Sequence, residues 1–204
     1  MPLPEVDRLV AVMGRLRREC PWDAQQTHSS LVQYLVEETA ETIEAIELAD
    51  QDHLREELGD LLLQVVFHAQ IAGEGSDGFD IDDVAHDIAD KLVARHPYVF
   101  AEGEVPDDLN ATWEQRKAVE KGRRSAVDGI PEQLSALARA HKIIARARSR
   151  QVPVDLPRTP VTADEVGEQV LALVARAQSS GVDPDQAVRA AVRGLERQVR
   201  AAEA

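Results

Sequence analysis

The chain has 204 residues, a formal net charge of -14, a pI near 4.8 and only 3% aromatic residues. This length suits one ordinary domain, or one domain with a shorter second one, and buries a core without help from disulfides. The acidic balance argues against stable nucleic-acid binding, whose contact face carries the opposite sign, and the longest apolar stretch, 61–71, is broken by Gln64, His68 and Gln70 and is too short for a membrane span.

The opening Met1-Pro2-Leu3-Pro4-Glu5 shows no basic stretch leading into an apolar core, so no secretory leader is expected. Residues rich in Ala, Leu, Glu, Arg and Gln, with almost no β-branched alternation, predict an all-α fold. A first helix is predicted over about 4–18, after which Cys20-Pro21-Trp22-Asp23 turns the chain. Cys20 is the single cysteine and has no internal partner, which fits a reducing, cytoplasmic location. A helix over about 30–49 follows, with Ser29 and Ser30 as candidate N-caps. Asp50-Gln51-Asp52 breaks it, and the next helix runs over about 53–72. Gly73, Gly75 and Gly78 form a loop. Another helix starts near Asp82 and stops at His96-Pro97, because a residue before proline avoids the α region. A polar loop over 102–108 leads to a helix through Trp113 and Lys117. A basic helix over about 131–150, a proline-bearing linker and two more helices complete the chain.

Two of these segments carry Glu37-Glu38-Thr39-Ala40-Glu41 and Glu56-Glu57-Leu58-Gly59-Asp60. Residues three or four apart share a helix face, so Glu38 projects with Glu41, and Glu57 with Asp60. The short break at 50–52 makes the two helices antiparallel neighbours, which lets the pairs face one another. Converging like charges repel unless a cation sits among them, and an all-oxygen donor set suits a hard ion such as Mg²⁺ or Mn²⁺. A di-iron bundle uses Glu-x-x-His pairs instead; His53 and His86 read as surface residues. Leu35, Thr39, Ile43 and Ile46 form an apolar stripe on the first helix. On the second, Leu54, Leu58, Leu61, Leu62, Val65 and Ala69 form another, with Leu63, Val66 and Phe67 opposite. A helix apolar nearly all round is buried on more than one side, between layers or across a dimer contact.

The basic residues of 115–150 read as a solvated helix face that partly offsets the acidic run. Glu165-Val166-Gly167-Glu168 repeats the spacing of Glu57-Leu58-Gly59-Asp60, and Asp183-Pro184-Asp185 echoes Asp80-Ile81-Asp82. No counterpart of the Glu37–Glu41 helix precedes this second copy, so it reads as a degenerate partial repeat that has lost any site of its own.

The Glu-Glu-x-x-Glu, gap, Glu-x-x-Asp pattern of Glu37, Glu38, Glu41, Glu57 and Asp60 resembles that of the MazG nucleoside triphosphate pyrophosphohydrolases. Cys20-Pro21-Trp22-Asp23 with Gln26-Thr27, Glu57 through Leu62, Arg95-His96-Pro97-Tyr98-Val99-Phe100, Trp113-Glu114-x-x-Lys117 and Ile130-Pro131 are similar to family signatures in the same order. The resemblance covers most of 5–150. It implies a dimerising helical bundle of the all-α NTP pyrophosphatase type, with Mg²⁺ (Mn²⁺ as substitute) held by Glu38, Glu41, Glu57 and Asp60. By the same resemblance Glu37 and Glu56 line the site, Lys91 and Arg95 bind phosphate, and Trp113 and Lys117 contact base and phosphate. The implied domains are a catalytic 1–150, a linker over 151–160 and a degenerate second repeat over 161–204. The implied partners are a nucleoside triphosphate and a homodimer or higher homo-oligomer. The implied reaction is hydrolysis to monophosphate and pyrophosphate, with broad base specificity suited to house-cleaning or nucleotide-pool control. Glu37 and Glu56 remain alternative general bases. The rival reading is a non-catalytic helical module that binds a nucleotide or a protein, which has no need of four intact carboxylates.

Overall fold

The computed structural model describes residues 3–204, with backbone alone at 110 and 111. Met1 and Pro2, the head of the segment read for a leader, lie outside the described residues. Every regular element among the described residues is helical, as expected, and none is long and apolar enough to cross a membrane. The chain divides into two compact units, Met1–Ala94 and Arg95–Ala204. The divide falls inside a helix, and the 151–160 stretch lies within the second unit.

The first unit contains α1 (Pro4–Glu19), α2 (Pro21–Gln25), α3 (Val32–Glu47), α4 (Gln51–Ala72) and nearly all of α5 (Ile81–Arg95). Pro4 sits in the first turn of α1, where its missing N–H leaves no bond unmade. Glu5 and Asp7 at one end and Arg17 and Arg18 at the other suit the helix dipole. Met13 of α1 packs with Leu31, Val66 and Phe67 in the core of this unit, against Leu63 and Tyr34. Each such large side chain stabilises the fold by about 1.5–3 kcal/mol through the area it removes from water. The glycine loop closes tightly, since a Cβ on Gly78 would collide with the carbonyl of Ala72.

The α3–α4 hairpin positions the carboxylates. Its turn is a full C-terminal cap: the Asp50 N–H bonds the Ala45 carbonyl, and the Ala49 N–H bonds that of Ile46. Ala49 adopts the left-handed conformation, φ 55°, that this cap requires. Asp50 Oδ1 then accepts from the N–H groups of Asp52 and His53, both at 3.1 Å. This side-chain cap starts α4 at Gln51, two residues before the position expected.

Three local expectations are corrected here. Cys20–Asp23 is the head of a short helix rather than a bare turn, because Pro21 occupies a first-turn position. Ser29 and Ser30 do not cap α3, whose cap position is Leu31 without a side-chain bond. Ser30 Oγ is already engaged, accepting from the Thr27 N–H and donating to Gln26 Oε1. The apolar stripe at Leu35, Thr39, Ile43 and Ile46 faces outward, and Thr42 and Ala45 are the buried residues of α3.

The second unit holds α6 (Pro97–Phe100), α7 (Leu109–Glu120), α8 (Ala136–Ser149), α9 (Ala163–Ser179) and α10 (Pro184–Ala202). Ala126, Val127 and Ile130 from the loop after α7 pack with Ile143 and Ala147 of α8 and Val192 and Val199 of α10. The basic run is a solvated face only in part: Lys121, Arg124 and Arg148 are exposed, but others are drawn inward. Arg146 is 4% exposed and bonds Glu114, and Arg139 bonds Glu196. Desolvating a guanidinium is unfavourable, and the carboxylate partners offset it. On α9, Leu171 is 70% exposed and Val170 and Val174 each 38%, so this helix covers little surface.

Candidate active site

Glu38 and Glu41 lie one turn apart on α3 and face Glu57 on α4. One carboxylate oxygen from each falls within 4.8 Å of the others. Glu57 is buried, while Glu38, Glu41 and Asp60 are half-buried. The small Ala45, fully buried one turn past Thr42, lets the helices approach closely at this level. Thr42 Oγ1 donates to the Glu38 carbonyl at 2.7 Å, so its hydroxyl is spent on the backbone and not on the carboxylates.

The electrostatics follow from this crowding. Burial raises the Glu38 carboxyl above its ordinary range, and the charges of Asp60, Glu41, Glu57 and Glu37 raise it further. Burial also raises Glu41, followed by the charges of Glu57 and Glu37 and a hydrogen bond shared with Glu57, against a lowering by His53. On Glu57, Oε1 lies 3.0 Å from His53 Nε2, while Oε2 is buried without a hydrogen-bond partner. A buried acceptor left unpaired is unfavourable by about 1–3 kcal/mol, and more for a charged group. The apo arrangement is thus short of positive charge at one defined place.

Among the candidates named from sequence, Glu38, Glu41 and Glu57 are brought together, and Asp60 is near enough to act on Glu38. Glu37 and Glu56 are exposed. Lys91 is half-buried on α5 with its Nζ 3.5 Å from Asp87. In the second unit Arg95 is buried, its Nε donates to Glu120 at 2.9 Å, and its guanidinium lies 5.0 Å above the Trp113 ring. Lys117 Nζ stands 3.7 Å from Glu114.

Sequence reading missed His53, taken there as a surface residue. Its i, i+4 relation to Glu57 was the available signal. It also passed over the continuation of the Glu57 face along α4. Gln64 is buried with Oε1 unpartnered, and His68 Nε2 is buried and unpartnered while its Nδ1 meets His28 Nδ1 at 2.7 Å. Burial and then the neighbouring His28 hold the His68 imidazole below its ordinary range.

A model of the MazG nucleotide pyrophosphohydrolase domain matches residues 26–100, the span of α3, α4 and α5. The chain is 47% identical over 199 residues to a 26.1 kDa protein of Streptomyces cacaoi, covering 96% of this chain and 81% of that one. It is 43% identical over 187 residues to the nucleoside triphosphate pyrophosphohydrolase of Escherichia coli K12, covering 88% and 70% respectively. With the nucleoside triphosphate pyrophosphohydrolase/pyrophosphatase MazG of Thermotoga maritima it shares 38% identity over 209 residues, 92% of this chain and 81% of that one. Likeness of this extent over most of the relatives' length, together with the domain match over the carboxylate hairpin, establishes that the chain belongs to the MazG family of nucleotide pyrophosphohydrolases.

Proposed function

We propose that this chain hydrolyses nucleoside triphosphates to monophosphate and pyrophosphate, using a divalent ion held by Glu38, Glu41, Glu57 and Asp60. The observation that carries the reading is Glu57 Oε2, buried and unpartnered beside two carboxyls whose proton affinity is raised. The donor set is all oxygen and fits Mg²⁺, with Mn²⁺ as a substitute. When bound, the ion supplies charge neutralisation and Lewis acidity to the triphosphate.

The remaining work belongs to side chains. Water attacks the α-phosphorus, the new P–O bond forms as the bond to the bridging oxygen breaks, and pyrophosphate leaves. Glu37 and Glu56, both exposed, are the alternative acceptors for the proton of the attacking water. Lys91, Arg95 and Lys117 are the proposed phosphate contacts and Trp113 the base contact, roles that rest on the family resemblance. Broad base specificity and a role in clearing or balancing the nucleotide pool are proposed on the same resemblance.

A second copy of the chain is the proposed cover for Leu58, Leu62 and Val65, which are 51%, 38% and 43% exposed along one face of α4. The free Cys20 supports a reducing, cytoplasmic setting. Incubation with a panel of ribo- and deoxynucleoside triphosphates and Mg²⁺, with product separation, tests the reading. Pyrophosphate and monophosphate in equal amounts support it, and orthophosphate with diphosphate contradicts it.

A further inference from the structure

A cavity of about 490 Å³ in the second unit is lined by Glu114, Ala118, Arg123, Arg146, Ser149 and Arg150. Its size falls in the range of small-molecule sites. Three guanidinium groups meet there around one carboxylate. Glu114 Oε2 lies 3.1 Å from Arg146 Nε and 3.8 Å from Arg123 Nη1, too far in the second case for a hydrogen bond. The nearby Asp128 carboxylate is committed elsewhere, accepting from the N–H groups of Ser125 and Arg124 and pairing with Arg200 at 3.1 Å. Among the residues lining the cavity, three positive charges stand against one negative, a formal excess of two, and Lys117 Nζ, 3.7 Å from Glu114, draws on the same carboxylate.

Not all of these donors have work within the fold. Arg146 does, since its Nη1 bonds the Asp128 carbonyl at 2.9 Å. Arg150 reaches only the Arg123 carbonyl, at 3.3 Å, and no carboxylate among the described residues pairs with it. Arg123 Nη1 and Ser149 Oγ are buried and have no hydrogen-bond partner. Burial and the repulsion of Arg123 lower the proton affinity of Arg146, which Glu114 only partly restores. A buried donor without an acceptor and an uncompensated pair of charges are both unfavourable, and a dianion at this point relieves both at once.

We propose that this cavity binds the phosphate group of a small molecule, with Arg123, Arg150 and Ser149 as its donors and Arg146 as the charge behind them. A phosphate dianion matches the excess of two. Guanidinium forks bond phosphate oxygens in pairs, and a serine hydroxyl completes such sites. Glu114, Arg146 and Ser149 also line a neighbouring cavity of about 680 Å³ with His141 and Lys142. Inorganic phosphate and a nucleoside monophosphate therefore share the required chemistry and differ in the room they fill.

Calorimetric titration of the full chain, free of divalent ions, with inorganic phosphate and separately with adenosine monophosphate tests this. Saturable binding of either probe, weakened about tenfold or more by Arg150→Gln as expected for one charge-assisted bond, supports the proposal. Arg150→Lys, which keeps the charge but not the fork, should fall between. Tighter binding of the monophosphate than of phosphate shows that the neighbouring space receives the nucleoside; equal affinity shows that the phosphate alone is read. Glu57→Gln should leave the binding unchanged, which separates this site from the carboxylate cluster. Absence of saturable binding by both probes at millimolar concentration overturns the proposal. So does an affinity untouched by Arg150→Gln and Ser149→Ala, or one lost in Glu57→Gln.

Discussion

The imidazole of His53 holds its Nε2 3.0 Å from Oε1 of Glu57, one helical turn away on α4. The other Glu57 oxygen, Oε2, is buried without a hydrogen-bond partner, and Glu57 clusters with Glu38 and Glu41. A side chain that orients a metal-binding carboxylate typically matters by about 10–100-fold in affinity or activity. His53→Ala should therefore weaken Mg²⁺ activation within that range, with little change in thermal stability. Titrating activity against Mg²⁺ checks it, and an unchanged activation curve would show that His53 is incidental.

Glu38 gives a pH dependence with a definite sign. Burial first, then the charges of Asp60, Glu41, Glu57 and Glu37, raise its carboxyl in the folded protein. A carboxylate raised on folding binds its proton more tightly in the native state, so its ionised form weakens the fold. The penalty is full above the folded value and vanishes below the unfolded value of about 4.3. Metal-free protein should thus gain stability from this group as pH falls through that window. Glu38→Gln should raise the apo melting temperature at neutral pH and not at pH about 4. It should also abolish stabilisation by added Mg²⁺, read by melting curves with and without the ion.

The carboxylate hairpin was legible because its logic is local. Spacing alone puts Glu38 with Glu41 and Glu57 with Asp60, and a short break between two long helices makes them neighbours. What escaped depends on partners far along the chain. Arg139 finds Glu196, and Arg146 finds Glu114, across 57 and 32 residues, so part of a run that looks solvated is drawn into the second unit. Ser30 looks like a helix cap, yet the preceding turn uses its hydroxyl first. The stripe from Leu35 to Ile46 has the period of a buried face, but α3 turns Thr42 and Ala45 inward, since carboxylates and small residues must share the α3–α4 contact.

The exposed apolar face of α4 carries the oligomer prediction. Leu58, Leu62 and Val65 follow one another at helical spacing, and each is more than a third exposed. Sedimentation at micromolar concentration should give a dimer or larger species. Leu62→Glu, which places a charge on the face, should shift it towards monomer while preserving the helical circular dichroism signal. A stable wild-type monomer would contradict the assignment.

In the second unit Glu165 has a structural occupation. Its carboxylate accepts from the Thr162 N–H at 2.7 Å while Thr162 Oγ1 accepts from the Glu165 N–H, a capping box at the head of α9. The Thr162 N–H first, and then the Thr162 hydroxyl, which donates to Glu165 Oε2 at 3.0 Å, lower the pKa of this carboxyl. We expect the Glu165→Gln, Glu168→Gln double variant to keep nearly full turnover, with 161–204 serving as scaffold. A large loss of turnover with the fold intact would assign catalysis to this segment.

The central claim is that four carboxylates on α3 and α4 hold the ion required for cleavage at the α-phosphorus. The most direct measurement is the Mg²⁺ dependence of pyrophosphate release from a nucleoside triphosphate by the wild type and by Glu38→Ala, Glu41→Ala, Glu57→Ala and Asp60→Ala. The wild type should release pyrophosphate only with the ion present, and each variant should lose turnover while its apo melting temperature holds or rises. Mg²⁺-dependent turnover retained in most of the four would contradict the account.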